Sequence, residues 1–140
     1  GEGAEEVVDL ATLTGACAVA LGEWTAGLFA NRRALTDRLL KAARDAGESL
    51  WELPVDRRLR REMKSPVADF KNIGGRYGGA IHGALFLQPF VDEKPWAHLD
   101  IAGTAWEEKG RPCQPKGGTG VGVRLLLEYL RCPPAGTIAS

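Results

Sequence analysis

Val7-Val8-Asp9-Leu10-Ala11-Thr12-Leu13-Thr14-Gly15-Ala16 is an apolar stretch with β-branched residues that changes character at a glycine. The run from Val7 to Thr14 reads as a largely buried strand of the kind found inside parallel sheets. The residues from Ala16 to Leu21 then predict a helix, closed by Gly22. A strand giving way to a helix is where open α/β sheets bind ligands, beyond the carboxyl ends of their strands. Unpaired backbone C=O and N–H groups at such a place can hold the backbone of a peptide. Gly15 leaves room for close approach.

Outward from this stretch, Trp24 to Ala30 reads as a second strand. Leu35, Leu39, Leu40 and Ala43 then have helical spacing within Arg32–Ala46, with Gly47 as the stop. Leu50 to Val55 is a short strand, and Pro54 keeps it from the centre of a sheet. Asp56 is placed to N-cap a helix that holds Leu59 and Met63 and ends before Pro66. A glycine-rich loop over 67–79 leads to a buried helix from Ala80 to Phe90. Its small residues Gly79, Ala80, Gly83 and Ala84 let another backbone come close. Trp96 to Ala102 is a strand, followed by a Gly/Pro-rich loop to Gly117 and a last helix from Thr119 to Leu130. Pro133-Pro134 predicts the end of order, with residues 132–140 a disordered tail. Strands separated by helices predict an α/β fold.

The chain has 140 residues, enough for one core. Eighteen acidic residues balance eighteen basic ones, so no global charge draws it to nucleic acid or an acidic membrane. No apolar run is long enough to cross a bilayer. Three cysteines without a C-x-x-C pair fit a reducing cytoplasm better than a disulfide scaffold. Residues 1–31 carry five acids (Glu2, Glu5, Glu6, Asp9, Glu23) and no base, whereas Arg57, Arg58, Arg60 and Arg61 form a basic cluster. That cluster reads as a solvated helix face supported by Asp56 and Glu62. Nucleic-acid binding there rests on local charge alone and is not expected. The start at Gly1, without methionine and with an acidic run unlike any targeting peptide, predicts a piece from inside a longer protein.

Few residues promise chemistry by themselves. His82 and His98 have no zinc-site spacing, and no G-x-S-x-G elbow is present. Gly118-Thr119-Gly120-Val121-Gly122 lacks the leading strand that a dinucleotide site needs, so its glycines read as easing a tight turn into a helix. Trp96, His98 and Asp100 alternate along one strand and share a face. A His98–Asp100 pair could work as acid and base, but two polar groups satisfying nearby backbone is the favoured reading.

The opening stretch, with A-T-L-T-G-A at Ala11–Ala16, resembles the leucyl (cytosol) aminopeptidases. The resemblance continues in order through Gly27-Leu28-Phe29-Ala30-Asn31, Gly47-Glu48-Ser49-Leu50-Trp51-Glu52-Leu53-Pro54 and Lys64-Ser65-Pro66-Val67-Ala68-Asp69-Phe70-Lys71-Asn72-Ile73-Gly74-Gly75. Trp96-Ala97-His98-Leu99-Asp100-Ile101-Ala102-Gly103-Thr104-Ala105-Trp106 and the run from Lys116 to Leu126 complete it, so that it covers about residues 7 to 131. It implies a mixed sheet sandwiched by helices, with residues 1–131 forming the C-terminal portion of an aminopeptidase catalytic domain. It also implies cytoplasmic, hexameric enzymes in which two divalent ions, manganese or zinc, activate a water that releases N-terminal residues, leucine preferred, from peptides.

The family's metal-binding lysine and aspartates, and its N-T-D-A-E-G-R-L motif, precede the A-T-L-T-G-A strand, and none occurs here. Asp9 and Asp100 are not at ligand positions. The resemblance therefore implies no catalytic or metal-binding residue in this chain, no cofactor of its own, and a partner in the missing N-terminal half of the same protein. It does imply substrate-pocket walls. Thr12 and Gly15 line the pocket for the first side chain, and the Leu13 carbonyl binds the peptide main chain. Ala102 and Ala105 form the pocket floor, and Ile73 contacts the second residue of the substrate. A non-catalytic binding or assembly module derived from the same domain stays open beside the enzyme reading. An N-T-D-A-E-G-R-L motif encoded just upstream of Gly1 would separate the two.

Overall fold

The opening stretch forms strand β1 (Val7–Ala11) and helix α1 (Gly15–Leu21) in a computed structural model that describes residues 3–132. After them come β2 (Ala26–Ala30), α2 (Arg33–Ala46) and β3 (Leu50–Glu52). A 3-10 helix (Arg57–Met63) and a long loop lead to α3 (Gly79–Leu87), followed by a 3-10 turn (Gln88–Val91) and β4 (Trp96–Asp100). Two-residue strands β5 (Trp106–Glu107) and β6 (Gly117–Gly118) make a small ribbon, and α4 (Val123–Arg131) closes the described chain.

The main sheet has the order β1-β4-β2-β3. β4 runs parallel to β1 and antiparallel to β2, while β2 and β3 are parallel, so the sheet is mixed. β4 has neighbours on both sides and helices on both faces, and all five of its residues are buried. Alternation along the strands sends Leu28, Ala97 and Leu99 to one face, where Leu35, Leu39, Ala43, Leu125 and Tyr129 of α2 and α4 cover them. Phe29 and Trp96 go to the other face, against Cys17 of α1 and Ala80 and Ala84 of α3. The result is the expected mixed sheet sandwiched by helices. Fully burying a side chain such as Leu39 contributes about 1.5–3 kcal/mol.

The boundaries differ from the sequence expectation where side chains intervene. β1 stops at Ala11 rather than Thr14 because the Leu13 and Thr14 amides turn to the Asp100 carboxylate instead of a neighbouring strand. It is half-buried rather than buried, since it lies at the sheet edge with β4 as its one partner. β2 starts at Ala26, two residues later than expected. The helix after Ala80 gives way to a 3-10 turn at Gln88, where Pro89 cannot donate the next helical hydrogen bond. The last helix begins at Val123 rather than Thr119, because Gly120 and Gly122 have φ of 70° and 90°, outside the helical region. Of the predicted tail, residues 133–140 lie outside the described residues.

Glu6, just ahead of β1, ties that edge strand to α2 and α4. Its carboxylate accepts from Arg38 at 2.8 Å and from the Tyr129 hydroxyl, and the Arg38 guanidinium lies 4.3 Å from the Tyr129 ring centre. Burial by itself would raise Glu6, but the hydrogen bonds from Arg38 and Tyr129 and the Arg38 charge together hold it below its ordinary 4.5. A carboxylate whose folded pKa is depressed stabilises the fold above its unfolded value and loses that contribution as pH falls through the folded one. Urea midpoints should therefore fall as pH drops below 4.5. Glu6→Gln should be less stable at pH 7 and show a shallower acid loss, and parallel pH profiles for the two proteins would exclude this role.

Candidate functional site

Asp100, the last residue of β4, is 1% exposed. Its Oδ1 accepts from the backbone N–H groups of Leu13 (3.2 Å), Thr14 (3.4 Å) and Ala102 (3.2 Å). Its Oδ2 accepts from the Thr14 hydroxyl at 2.6 Å. Four donors converge on one buried carboxylate, which offsets its desolvation. Thr14 Oγ1 in turn accepts from Cys17 N at 3.0 Å and so N-caps α1. Burial, followed by the charge of Asp100, pushes the Cys17 thiol up to about 11 despite a hydrogen bond with the Gly27 backbone.

These bonds fix the segment Leu13–Gly15 as one wall of a cavity of about 560 Å³. The loop Asn72-Ile73-Gly74-Gly75-Arg76 forms the opposite wall, and His82, Gly83 and Phe86 of α3 line it as well. α3 can pack this closely because Gly83 lacks a side chain: a Cβ there would lie 2.7 Å from Thr14 Cγ2 and 2.9 Å from Leu13 Cδ2. The small face of this helix thus meets the opening stretch, a partner its composition did not name. The Leu13 carbonyl accepts no hydrogen bond among the described residues. Gly15 is at negative φ, and a Cβ there would meet nothing within 4 Å.

Leu13, Gly15 and Ile73 come together around this cavity; Thr12, Ala102 and Ala105 are not among its lining residues. Ala102 shares the Asp100 Oδ1 acceptor with Leu13 and Thr14. Ala105 sits in the turn after β4, its carbonyl accepting from Thr119 N at 3.0 Å. Neighbouring Thr104 borders a second, more polar cavity of about 530 Å³ with Glu48, Arg111 and Arg124.

The supposed His98–Asp100 pair does not form. His98 Nδ1 lies 2.6 Å from Asp9 Oδ1, and Trp96 Nε1 donates to Asp9 Oδ2 at 2.6 Å. Parallel pairing sets Asp9 opposite His98 across the strands, so the reading that both groups satisfy nearby backbone holds for Asp100 but not for His98. In the basic cluster, Arg58 pairs with Asp56 at 2.7 Å, but Glu62 turns towards His82 instead of supporting the arginines. His82 has no ligand spacing in the sequence. Its ring points at the Ile73 loop while the neighbouring Gly83 faces Leu13 and Thr14, a difference of direction that only the placement of the helix reveals.

Among the described residues no three His, Cys, Asp or Glu side chains gather as a metal centre requires.

An α/β sandwich with a cavity at its strand ends is a common frame for ligand-binding and catalytic sites, and comparison with known proteins makes the family specific. Residues 1–127 match the model of the cytosol aminopeptidase family, catalytic domain. The chain belongs to that family. It is 61% identical over 125 residues to a probable cytosol aminopeptidase of Geobacter sulfurreducens, covering 89% of this chain and 25% of the relative. It is 55% identical over 128 residues to that of Aquifex aeolicus, covering 90% and 26%. A solved mutant of tomato leucine aminopeptidase superposes with a TM-score of 0.87 at 47% identity, covering 94% of this chain and 25% of that one. The bottromycin maturation enzyme BotP, in complex with Mn, gives 0.86 at 47% identity over 91% and 28%. The chain thus spans about a quarter of the length of these relatives.

Removing the Asp100 carboxylate leaves its donors without an acceptor. Asp100→Ala should lower stability by about 2–4 kcal/mol, and Asp100→Asn by less, since the amide keeps one acceptor oxygen. Urea denaturation measures both, and wild-type stability in Asp100→Ala would show that the wall is held by other contacts.

Proposed function

We propose that this chain supplies substrate-pocket walls to a metal-dependent aminopeptidase that releases N-terminal residues, leucine among them, from peptides in the cytoplasm. One observation carries the reading. A strand end with an unclaimed carbonyl at Leu13 and open space at Gly15 faces the Ile73 loop across a cavity sized for a short peptide. Family membership supports the reaction class, and the complex of BotP with Mn supports divalent ions in the complete protein. The chain's own residues would bind and orient the peptide: the Leu13 carbonyl takes a main-chain N–H, and Gly15 gives way to the backbone. In this reading Thr12, Ala102 and Ala105 shape the pocket for the first side chain. The side chains that hold the metal ions, manganese or zinc, come from the part of the protein that this chain does not span, and the whole assembles as a homo-oligomer.

The test is hydrolysis of leucine p-nitroanilide by the full gene product with manganese or zinc, abolished by a chelator, beside no turnover by the 140-residue chain. Turnover by the chain alone would show that it holds its own metal site. A full product that folds but cleaves no peptide would favour the non-catalytic module.

Two variants of the full product probe the walls. Gly15→Val places a branched side chain in the open space of the cavity. It should impair peptide hydrolysis at a folding cost under about 1 kcal/mol; unchanged kinetics in the folded variant would remove Gly15 from the site. Ala105→Phe should shift the leucine-to-alanine ratio at least about tenfold towards alanine. An unchanged ratio would mean that Ala105 faces elsewhere.

A further inference from the structure

His82 is 3% exposed, lines the peptide-sized cavity, and neither of its ring nitrogens has a hydrogen-bond partner among the described residues. Glu62 lies beside it, with His82 Nε2 3.4 Å from Glu62 Oε2. Buried imidazoles ordinarily find hydrogen bonds, and one left unmatched costs stability. A reason for keeping it lies directly above the ring. A Cβ on Gly74 would sit 2.2 Å from His82 Cδ2, and one on Gly75 would sit 2.8 Å from Glu62 Oε2. The two glycines therefore lie in contact, one on the imidazole and the other on the carboxylate. They adjoin Ile73, whose side chain is exposed at the cavity wall.

The rest of the loop is anchored separately. Phe70 packs edge-on against Phe86 and Phe90, with ring centres 5.6 and 6.0 Å apart, and Lys71 N donates to Met63 O at 2.7 Å. Beyond these anchors, Gly74 and Gly75 rest on the His82–Glu62 pair. α3 meets both walls of the cavity, touching Leu13 and Thr14 through Gly83 and the Ile73 loop through His82. Their spacing is therefore a property of two adjacent residues on one helix.

We propose that His82, paired with Glu62, is a positioning residue that sets the Ile73 wall and so governs which second residue of a peptide the site accepts. The proposal rests on the aminopeptidase reading for its substrate, while its physical claim concerns the loop itself. His82 makes no hydrogen bond within the described chain, so removing the ring breaks none there; it takes away the 3.4 Å contact with Glu62 and the support beneath Gly74.

The experiment compares His82→Ala, His82→Gln, Gly74→Ala and the double variant Gly74→Ala/His82→Ala in the full gene product. Two substrates are used: leucyl-phenylalanine, which has a second side chain, and leucinamide, which has none. His82→Ala should raise KM for leucyl-phenylalanine about tenfold while both constants for leucinamide stay within about twofold. His82→Gln, with a side chain of similar reach, should restore most of the loss. Gly74→Ala should be harmful alone, through collision with the ring, and better tolerated in the His82→Ala background. Amide hydrogen exchange, which needs no activity, should quicken in His82→Ala at residues 72–76 and not in β4. Unchanged exchange in the loop overturns the proposal. So does an equal loss on both substrates with faster exchange throughout the sheet, which marks a merely structural role. If the wild type cleaves neither substrate, the aminopeptidase reading falls, and the exchange data still decide whether His82 positions the loop.

Discussion

One buried carboxylate organises this end of the molecule. Asp100 ends the central strand β4, and its two oxygens gather three backbone N–H groups and a hydroxyl from segments more than 80 residues apart in sequence. A carboxylate at this depth is stable only with its acceptor sites filled, and the donors that fill them are the ones that turn the chain from β1 into α1. The turn, the N-cap of α1 and one wall of the cavity follow from that single requirement. Because Leu13 and Thr14 give their N–H groups to Asp100, the segment leaves the sheet ladder, and the Leu13 carbonyl is left to another partner.

The opposite wall depends on packing instead of hydrogen bonding. α3 carries Gly79, Ala80, Gly83 and Ala84, and its small face lets the helix close on the Leu13–Ala16 segment. His82, the one large polar residue of α3, projects at the loop that carries Ile73. Close packing transmits displacement with little loss, so a change at either contact moves a cavity wall. One helix thereby touches both sides of the cavity.

The edge position of β1 matters for the same region. Its second side has no strand neighbour among the described residues, and its residues are half-buried. An open edge with apolar side chains is a template for further pairing. Glu6, Arg38 and Tyr129 fasten the start of this strand to α2 and α4, while Asp9 holds Trp96 and His98 across the sheet. Charge is thus used locally to hold an edge strand that has one backbone partner, in a chain spanning about a quarter of its relatives' length.

Local pattern determined much of what is seen. The presence of a strand before Gly15 and of a helix carrying Leu35, Leu39 and Ala43 was legible, because each depends on residues a few positions apart, whereas the strand's end at Ala11 and its half-burial were not. The collinear motifs from Ala11 to Leu126 placed the chain in its family. The strand order was decided only by the tertiary structure: insertion of β4 between β1 and β2 joins residues nearly 90 positions apart. That is why His98 pairs with Asp9 and Asp100 serves the backbone of Leu13 and Thr14. Periodicity sorts side chains by face, but it carries no information about which distant segment meets that face. Those meetings depend on which strands become neighbours and on which buried polar groups must find partners once they do.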